Sequence, residues 1–262
     1  MHTLRKTSVM KILLERVFLT TMIWALPLVL TEQGRAQTPL QVHLESEQSE
    51  WVQGVPVEFK VSVTNVSPAP VRTAALNLDP TEGDLTLQIS SDGSSFHSYF
   101  GPDWETAEMG PSQVTLQPGQ RVVGKPFPVF VNHSSPDTPT DPTRDFPFSA
   151  PGIYFAKAWV ATAFGGLPSN VVKVVIRPPQ GDDALVWEAL KHDKRLARFL
   201  QKPFWEYPPV EPAEAQKLKQ LLDSYPHASN AAWLRKALDE HAKNKALIEE
   251  RKKARSTSQP QR

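Results

Sequence analysis

With cysteine absent, the side chains in this chain with the chemistry for a site are carboxylates, histidines and tryptophans. The lack of thiols excludes a disulfide framework, thiol catalysis and cysteine-ligated zinc. The seven histidines are scattered, and none falls in HExxH or another paired zinc spacing. GxSxG, SxxK, the phosphate-cradling GxxxxGK[ST] loop and GxGxxG are all missing. Carboxylates cluster twice: Asp79, Glu82 and Asp84 in DPTEGD, and Asp137, Asp141 and Asp145 at four-residue intervals in a proline-rich run. The second set offers oxygen ligands to calcium, which takes about 6–8 of them. Neither set follows the EF-hand order, and Asp before Pro or Gly is an ordinary turn former. No spacing fixes an acid–base pair, so the expectation is a protein without catalytic residues and without a cofactor.

Aromatic side chains are the remaining candidates for binding. Phe204, Trp205 and Tyr207 lie together in PFWEYPPV, a proline-rich linker that either contacts a ligand or folds down onto the protein. Trp159 sits in GIYFAKAWVATA (152–163), where strand parity puts it on the face opposite Tyr154 and Ala156. On that face it either meets the C-terminal helices or is exposed. Trp187 and Trp233 fall in apolar helical stretches and are expected in the core.

The elements that must position these residues change character along the chain. Residues 1–36 read as an export signal. Arg5, Lys6, Lys11 and Arg16 precede the apolar run 17–30, and Gly34 and Ala36 supply small residues for cleavage after Ala36. The run is shorter than the roughly 20 residues of a membrane-spanning helix, so no stable insertion is expected after cleavage. Export without cysteine points to a bacterial periplasm or exterior. Asn65-Val66-Ser67 and Asn132-His133-Ser134 match the glycosylation triplet, which carries no meaning there.

Residues 37–179 hold 8 Lys/Arg against 14 Asp/Glu, a net of −6, and residues 180–262 hold 16 against 12, a net of +4. The basic excess alternates in sign with acids, as on a solvated helix face, so nucleic acid is not an expected partner. Between turn signals, strands are predicted at 40–46, 55–65, 70–78, 84–90, 95–100, 113–131, 152–163 and 170–178. In 55–65, Val57, Phe59, Val61 and Val63 share one face. Residues 132–147 break the rhythm with four prolines and are expected to form a long exposed loop.

PGIYFA (151–156) resembles the segment that opens the penultimate strand of immunoglobulin-like domains. The resemblance makes Tyr154 a corner tyrosine and puts Ala156 where those domains carry a cysteine, with FGGLPS (164–169) as the loop to the last strand. It implies an antiparallel immunoglobulin-like β-sandwich of the kind found in bacterial envelope proteins, and looks more loosely like the bacterial proteinase-inhibitor sandwiches. It implies no activity.

Residues 180–254 form a helical extension, and 255–262 read as a disordered tail. Helices are predicted at 183–201, with Asp182 or Asp183 as cap, at 212–224, and at about 229–253. The stretch 213–238 resembles a single tetratricopeptide-type hairpin, which packs on the sandwich or docks elsewhere. The fold class expected is therefore mainly β, a sandwich followed by a helical extension. The function expected is an exported, non-catalytic binding or scaffold protein whose partner is another envelope protein. The alternative is an inhibitor or regulator of an envelope protease acting through 132–147, with a hydrolase behind both. The sequence assigns no oligomeric state.

Overall fold

The alternation of β-branched and polar residues in 57–65 builds the strand around which the first sheet is organised. The computed structural model describes residues 38–74, 76–78, 80, 84–101, 113–132, 139–201 and 212–258. Among them β1 (Leu40–Ser46) pairs antiparallel with β3 (Val57–Asn65) along its whole length. The far side of β3 is shared by β8 (Arg121–Val123) and β9 (Phe127–Val129). The sequence suggests one continuous segment there. The structure instead breaks it at Gly124, where a Cβ would lie 2.8 Å from Leu78 Cβ and 2.9 Å from Leu78 O. An earlier turn at Gly119, with φ +73, separates β8 from β7 (Gln113–Leu116), which pairs with β4 (Val71–Ala74).

The second sheet runs β2 (Glu50–Val52), β12 (Val172–Arg177), β10 (Gly152–Thr162), β5 (Leu85–Ser90), β6 (His97–Tyr99). Two strands here escape the sequence reading. β2 is three residues long and pairs parallel to β12. β11 (Gly165–Pro168) forms a hairpin with β10, so most of the expected loop 164–169 is strand. Between β11 and β12 the Asn170 side chain donates to Leu44 O (3.0 Å) and accepts from Leu44 N (2.9 Å) on β1.

The inward rows of both sheets share one core: Val57, Phe59, Val61 and Val63 from β3, Leu85 and Leu87 from β5, Ala156, Ala158 and Val160 from β10, Val174 and Ile176 from β12. Each such side chain contributes about 1.5–3 kcal/mol through burial, alanine less. Ala156 is buried opposite Ile89 and Val172. The Tyr154 hydroxyl donates to Ala150 O (2.8 Å) and accepts from Ala150 N (3.3 Å), while Phe148 meets its ring edge-on at 5.1 Å. Asn65 is wholly buried. Its amide donates to Ala69 O and Leu116 O, both at 2.9 Å, and its Oδ1 accepts from Ser67 N and Oγ.

The excursion after β9 departs from expectation. Residues 139–148 are not an exposed loop: Asp145, Phe146 and Phe148 are buried. A short helix α1 (Pro142–Asp145) forms because Asp141 caps it, accepting from Thr143 N at 3.0 Å, and Asp145 reaches back to accept from Asp141 N at 2.8 Å. Phe146 then stacks edge-on between Phe130 and Trp187.

The helices are α2 (Asp182–Lys191), α3 (Lys194–Gln201), α4 (Pro212–Ser224) and α5 (Ala231–Ser258). The single helix expected over 183–201 is broken at His192–Asp193. There Asp193 caps α3, its Oδ1 accepting from Leu196 N at 3.1 Å. Neither Asp182 nor Asp183 caps α2, which begins from Gly181 without a side-chain cap. Asp183 instead accepts from Ser229 N (2.6 Å) and Oγ (2.8 Å) just before α5. Helix α5 also runs on to Ser258, into the stretch expected to be disordered. Trp187, Leu190, Leu196, Leu200, Leu218 and Leu234 form a second core together with Phe130, Val131 and Phe146. The helices therefore pack on the end of β9 and on the excursion. At the same junction Val131 N donates to Gln201 Oε1 (2.7 Å), and Gln201 Nε2 donates to Pro128 O (3.1 Å) and to the Tyr99 hydroxyl. Tyr99 in turn donates to Val131 O at 3.0 Å.

Candidate functional site

Strand β10 has apolar residues on both faces, which is more than a core requires. Its even positions line the core, and its odd positions, Ile153, Phe155, Lys157 and Trp159, point outward. Pairing extends these into cross-strand rows: Trp159 faces Thr86, Lys157 faces Gln88, and Phe155 stands between Ser90 and Lys173. Val171 lies one residue beyond the Ala156–Val172 pair, beside Lys157. Ile153, Trp159 and Val171 are 46%, 36% and 52% exposed, so the face offers apolar groups that a partner can reach.

Trp159 is held in place. Its Nε1 donates to Gln88 Oε1 on β5 at 3.1 Å, while on the other side a Cβ at Gly166 of β11 would lie 3.3 Å from its Cε3. The indole is thus fixed between two neighbouring strands while remaining exposed. Lys157 sets its ammonium 4.0 Å from the centroid of the Phe96 ring. Phe96 is placed by the β5–β6 turn, where Asp92 Oδ1 accepts from Ser94 N and Ser95 N, both at 2.7 Å. The backbone amide of Ser95, then that of Ser94, then the Ser90 hydroxyl hold the Asp92 carboxyl well below the usual carboxylate range. In the same turn Gly93, at φ +75, allows Phe155 to approach; a Cβ there would meet its ring at 3.2 Å.

Arg177 on the same sheet is neutralised by Glu50. Lys157 and Lys173 have no ion pair among the described residues. The face is therefore locally cationic on a body of net −6.

Of the sequence candidates, Trp159 lies at the heart of this face, clear of the helices' core. Tyr154 and Ala156 are core residues on the other side of the same strand. Phe204, Trp205, Tyr207 and Asp137 lie outside the described residues. Asp141 and Asp145 do come together, but what joins them is the start of α1, where both carboxylates are occupied. Among the described residues no group of three His, Asp or Glu is placed to hold a metal ion. Of the two glycosylation triplets, Asn65 has its side chain buried and fully bonded, and Asn132 Nδ2 donates to Arg144 O at 2.7 Å. His192 pairs with Glu188 on the surface, whereas His241 meets the Phe199 ring edge-on at 5.4 Å. Phe155, Lys157, Val171 and Gln88 were not candidates from sequence. The signal available for them was the apolar content of the odd positions of 153–159.

No protein-family model matches the chain, and no curated protein does. Solved structures that match the chain weakly include a β-glucosidase from Erythrobacter marinus, at 12% identity over 53% of this chain and 15% of that one, with TM-score 0.28. The sporulation control protein Spo0M from Bacillus subtilis is 11% identical over 62% of this chain and 55% of its own, with TM-score 0.29. A CARDB domain from Pyrococcus furiosus is 13% identical over 53% of this chain and 94% of its own, with TM-score 0.25. The chain thus spans a small part of the glucosidase and about half of Spo0M. Likenesses this faint carry no argument about activity or ligand.

Proposed function

We propose that this chain is an exported, non-catalytic binding protein of the bacterial envelope, built on an immunoglobulin-like sandwich, which contacts a protein partner through the outer face of β10 and its neighbours. The observation that carries the reading is the exposed Trp159, anchored by Gln88 and Gly166. An aromatic side chain already immobilised loses little rotamer freedom on binding, and such residues dominate the energetics of protein interfaces. The signal-like leader supports export. The Tyr154–Ala150 hydrogen bonds support the immunoglobulin-like reading, in which a corner tyrosine bonds back to the backbone.

The protease-regulator alternative has less support. The described part of its loop is anchored through Asp145 and Phe146, so deletion of 133–145 is expected to damage the fold rather than spare it.

The test uses the full chain and its Trp159→Ala variant as paired baits in envelope extract, with retained proteins identified, purified and titrated against both. A partner that loses at least roughly tenfold in affinity for the variant supports the reading, since an interfacial hot spot costs about 2 kcal/mol or more on truncation. Equal affinity for both baits refutes it.

A further inference from the structure

We infer that this face takes an acidic, apolar-flanked segment of its partner, whose carboxylate meets the Lys157 ammonium beside the Phe96 ring, with Lys173 adding positive charge from the next strand, while an adjacent apolar side chain packs on Trp159. The inference rests on the binding reading above and adds the chemistry of the partner. Lys157 stands in the middle of the face, half-buried, with Phe155 and Trp159 on its own strand and Val171 beside it. Its ammonium rests on the Phe96 ring and meets no carboxylate among the described residues. Lys173 projects from the next strand, opposite Phe155, and is likewise unpaired there.

A partner carboxylate arriving beside Lys157 is flanked by the rings of Phe96, Phe155 and Trp159, whose apolar surfaces displace part of its water and strengthen its attraction to the lysine. The apolar rim supplies what charge alone does not. A second copy of the chain docked face to face presents a surface of the same local charge, which gives the lysines no attraction to it. Large polyanions and anionic bilayers find little beyond the two lysines to hold them, because residues 37–179 carry −6, which the +4 of residues 180–262 offsets only in part. A short acidic segment is drawn in locally and escapes most of that field, because its charge lies within a Debye length of the lysines.

The experiment titrates the full-length protein with a random glutamate–tyrosine copolymer, with polyglutamate, with a lysine–tyrosine copolymer and with phosphatidylglycerol vesicles. The glutamate–tyrosine copolymer is expected to bind best, by roughly tenfold or more over each of the others, and to weaken at high salt. Lys157→Glu and, on the exposed rim, Lys173→Glu are each expected to lower that affinity by about tenfold with unchanged circular dichroism. Equal binding of polyglutamate, preference for vesicles or for the basic copolymer, or charge-reversed variants that bind as the parent does would each overturn the inference. If Trp159→Ala abolishes binding of the purified partner while Lys157→Glu and Lys173→Glu do not, the acidic-partner inference fails and the binding face stands. If none of the three variants affects it, both fail.

Discussion

Removing the Gln201 amide should loosen the junction between the helices and the sheets more than any surface change of similar size. In Gln201→Ala the buried Val131 N–H loses its acceptor and Pro128 O loses a donor, while Tyr99 keeps its bond to Val131 O. Burial pushes the Tyr99 phenol well above its usual range, so it stays protonated and remains a donor. A buried polar group left without a partner costs about 1–3 kcal/mol, so two of them give roughly 3 kcal/mol. For a domain of this size about 1 kcal/mol moves the melting temperature by about 2–4 °C, which predicts a fall of roughly 6–12 °C. Urea unfolding followed by both far-UV circular dichroism and tryptophan fluorescence measures the change, provided the two transitions coincide. Gln201→Glu gives the internal control. It keeps the acceptor for Val131 N but at neutral pH sets a carboxylate against Pro128 O, and protonation restores a donor. Its deficit should therefore shrink as the pH falls through the carboxyl range. A loss below about 1 kcal/mol in Gln201→Ala would refute the claim that these bonds hold the junction.

Asn65→Ala should cost about 3 kcal/mol or more, because it strands Leu116 O and Ser67 N where Asn65 had tied β7 and the loop after β3 to β3; chemical denaturation reads it directly. Burial, then the hydrogen bond and charge of Glu47, raise the Glu58 carboxyl above its ordinary value, although Lys236 opposes the shift. A raised folded value means the group's contribution is complete below the ordinary glutamate range and is lost as pH rises through the folded value. The melting temperature of the parent should therefore fall over that interval relative to Glu58→Gln, and parallel pH profiles for the two proteins would contradict the assignment.

How much of this was legible in the sequence follows from the length of the signal each element carries. β3 and β10 are long and alternate cleanly, so their inward rows could be written down residue by residue. β2 has three residues and forms only because β12 offers a parallel neighbour far away in sequence, which no local pattern announces. β11 is hidden by Gly165 and Gly166, residues that usually punctuate strands, yet the second of them is what makes room beside the Trp159 indole. In the excursion, prolines and aspartates argued for exposure, and they were outweighed by Phe146 and Phe148, whose burial next to Trp187 and Tyr154 is a tertiary effect. The break at Asp193 was visible as a capping residue inside a helical stretch. The apolar periodicity of 183–201 concealed it. Trp159 was placed on its outward face by parity alone, but its neighbours on β5 and β11 required the register.

The amide of Asn170 has a consequence for the molecule in crowded company. β1 is the outermost strand of its sheet, and such a strand ordinarily presents a row of free backbone donors and acceptors that another chain can join. At Leu44 both groups are already taken by one side chain, and two residues earlier Val42 is bridged to Ser169. The middle of the strand is therefore closed to a visiting one by the connection between β11 and β12. Asn170→Ala would free the Leu44 groups, leaving a strand in which Leu40, Val42 and Leu44 alternate with Gln41, His43 and Glu45 as a template for edge-to-edge association at high concentration.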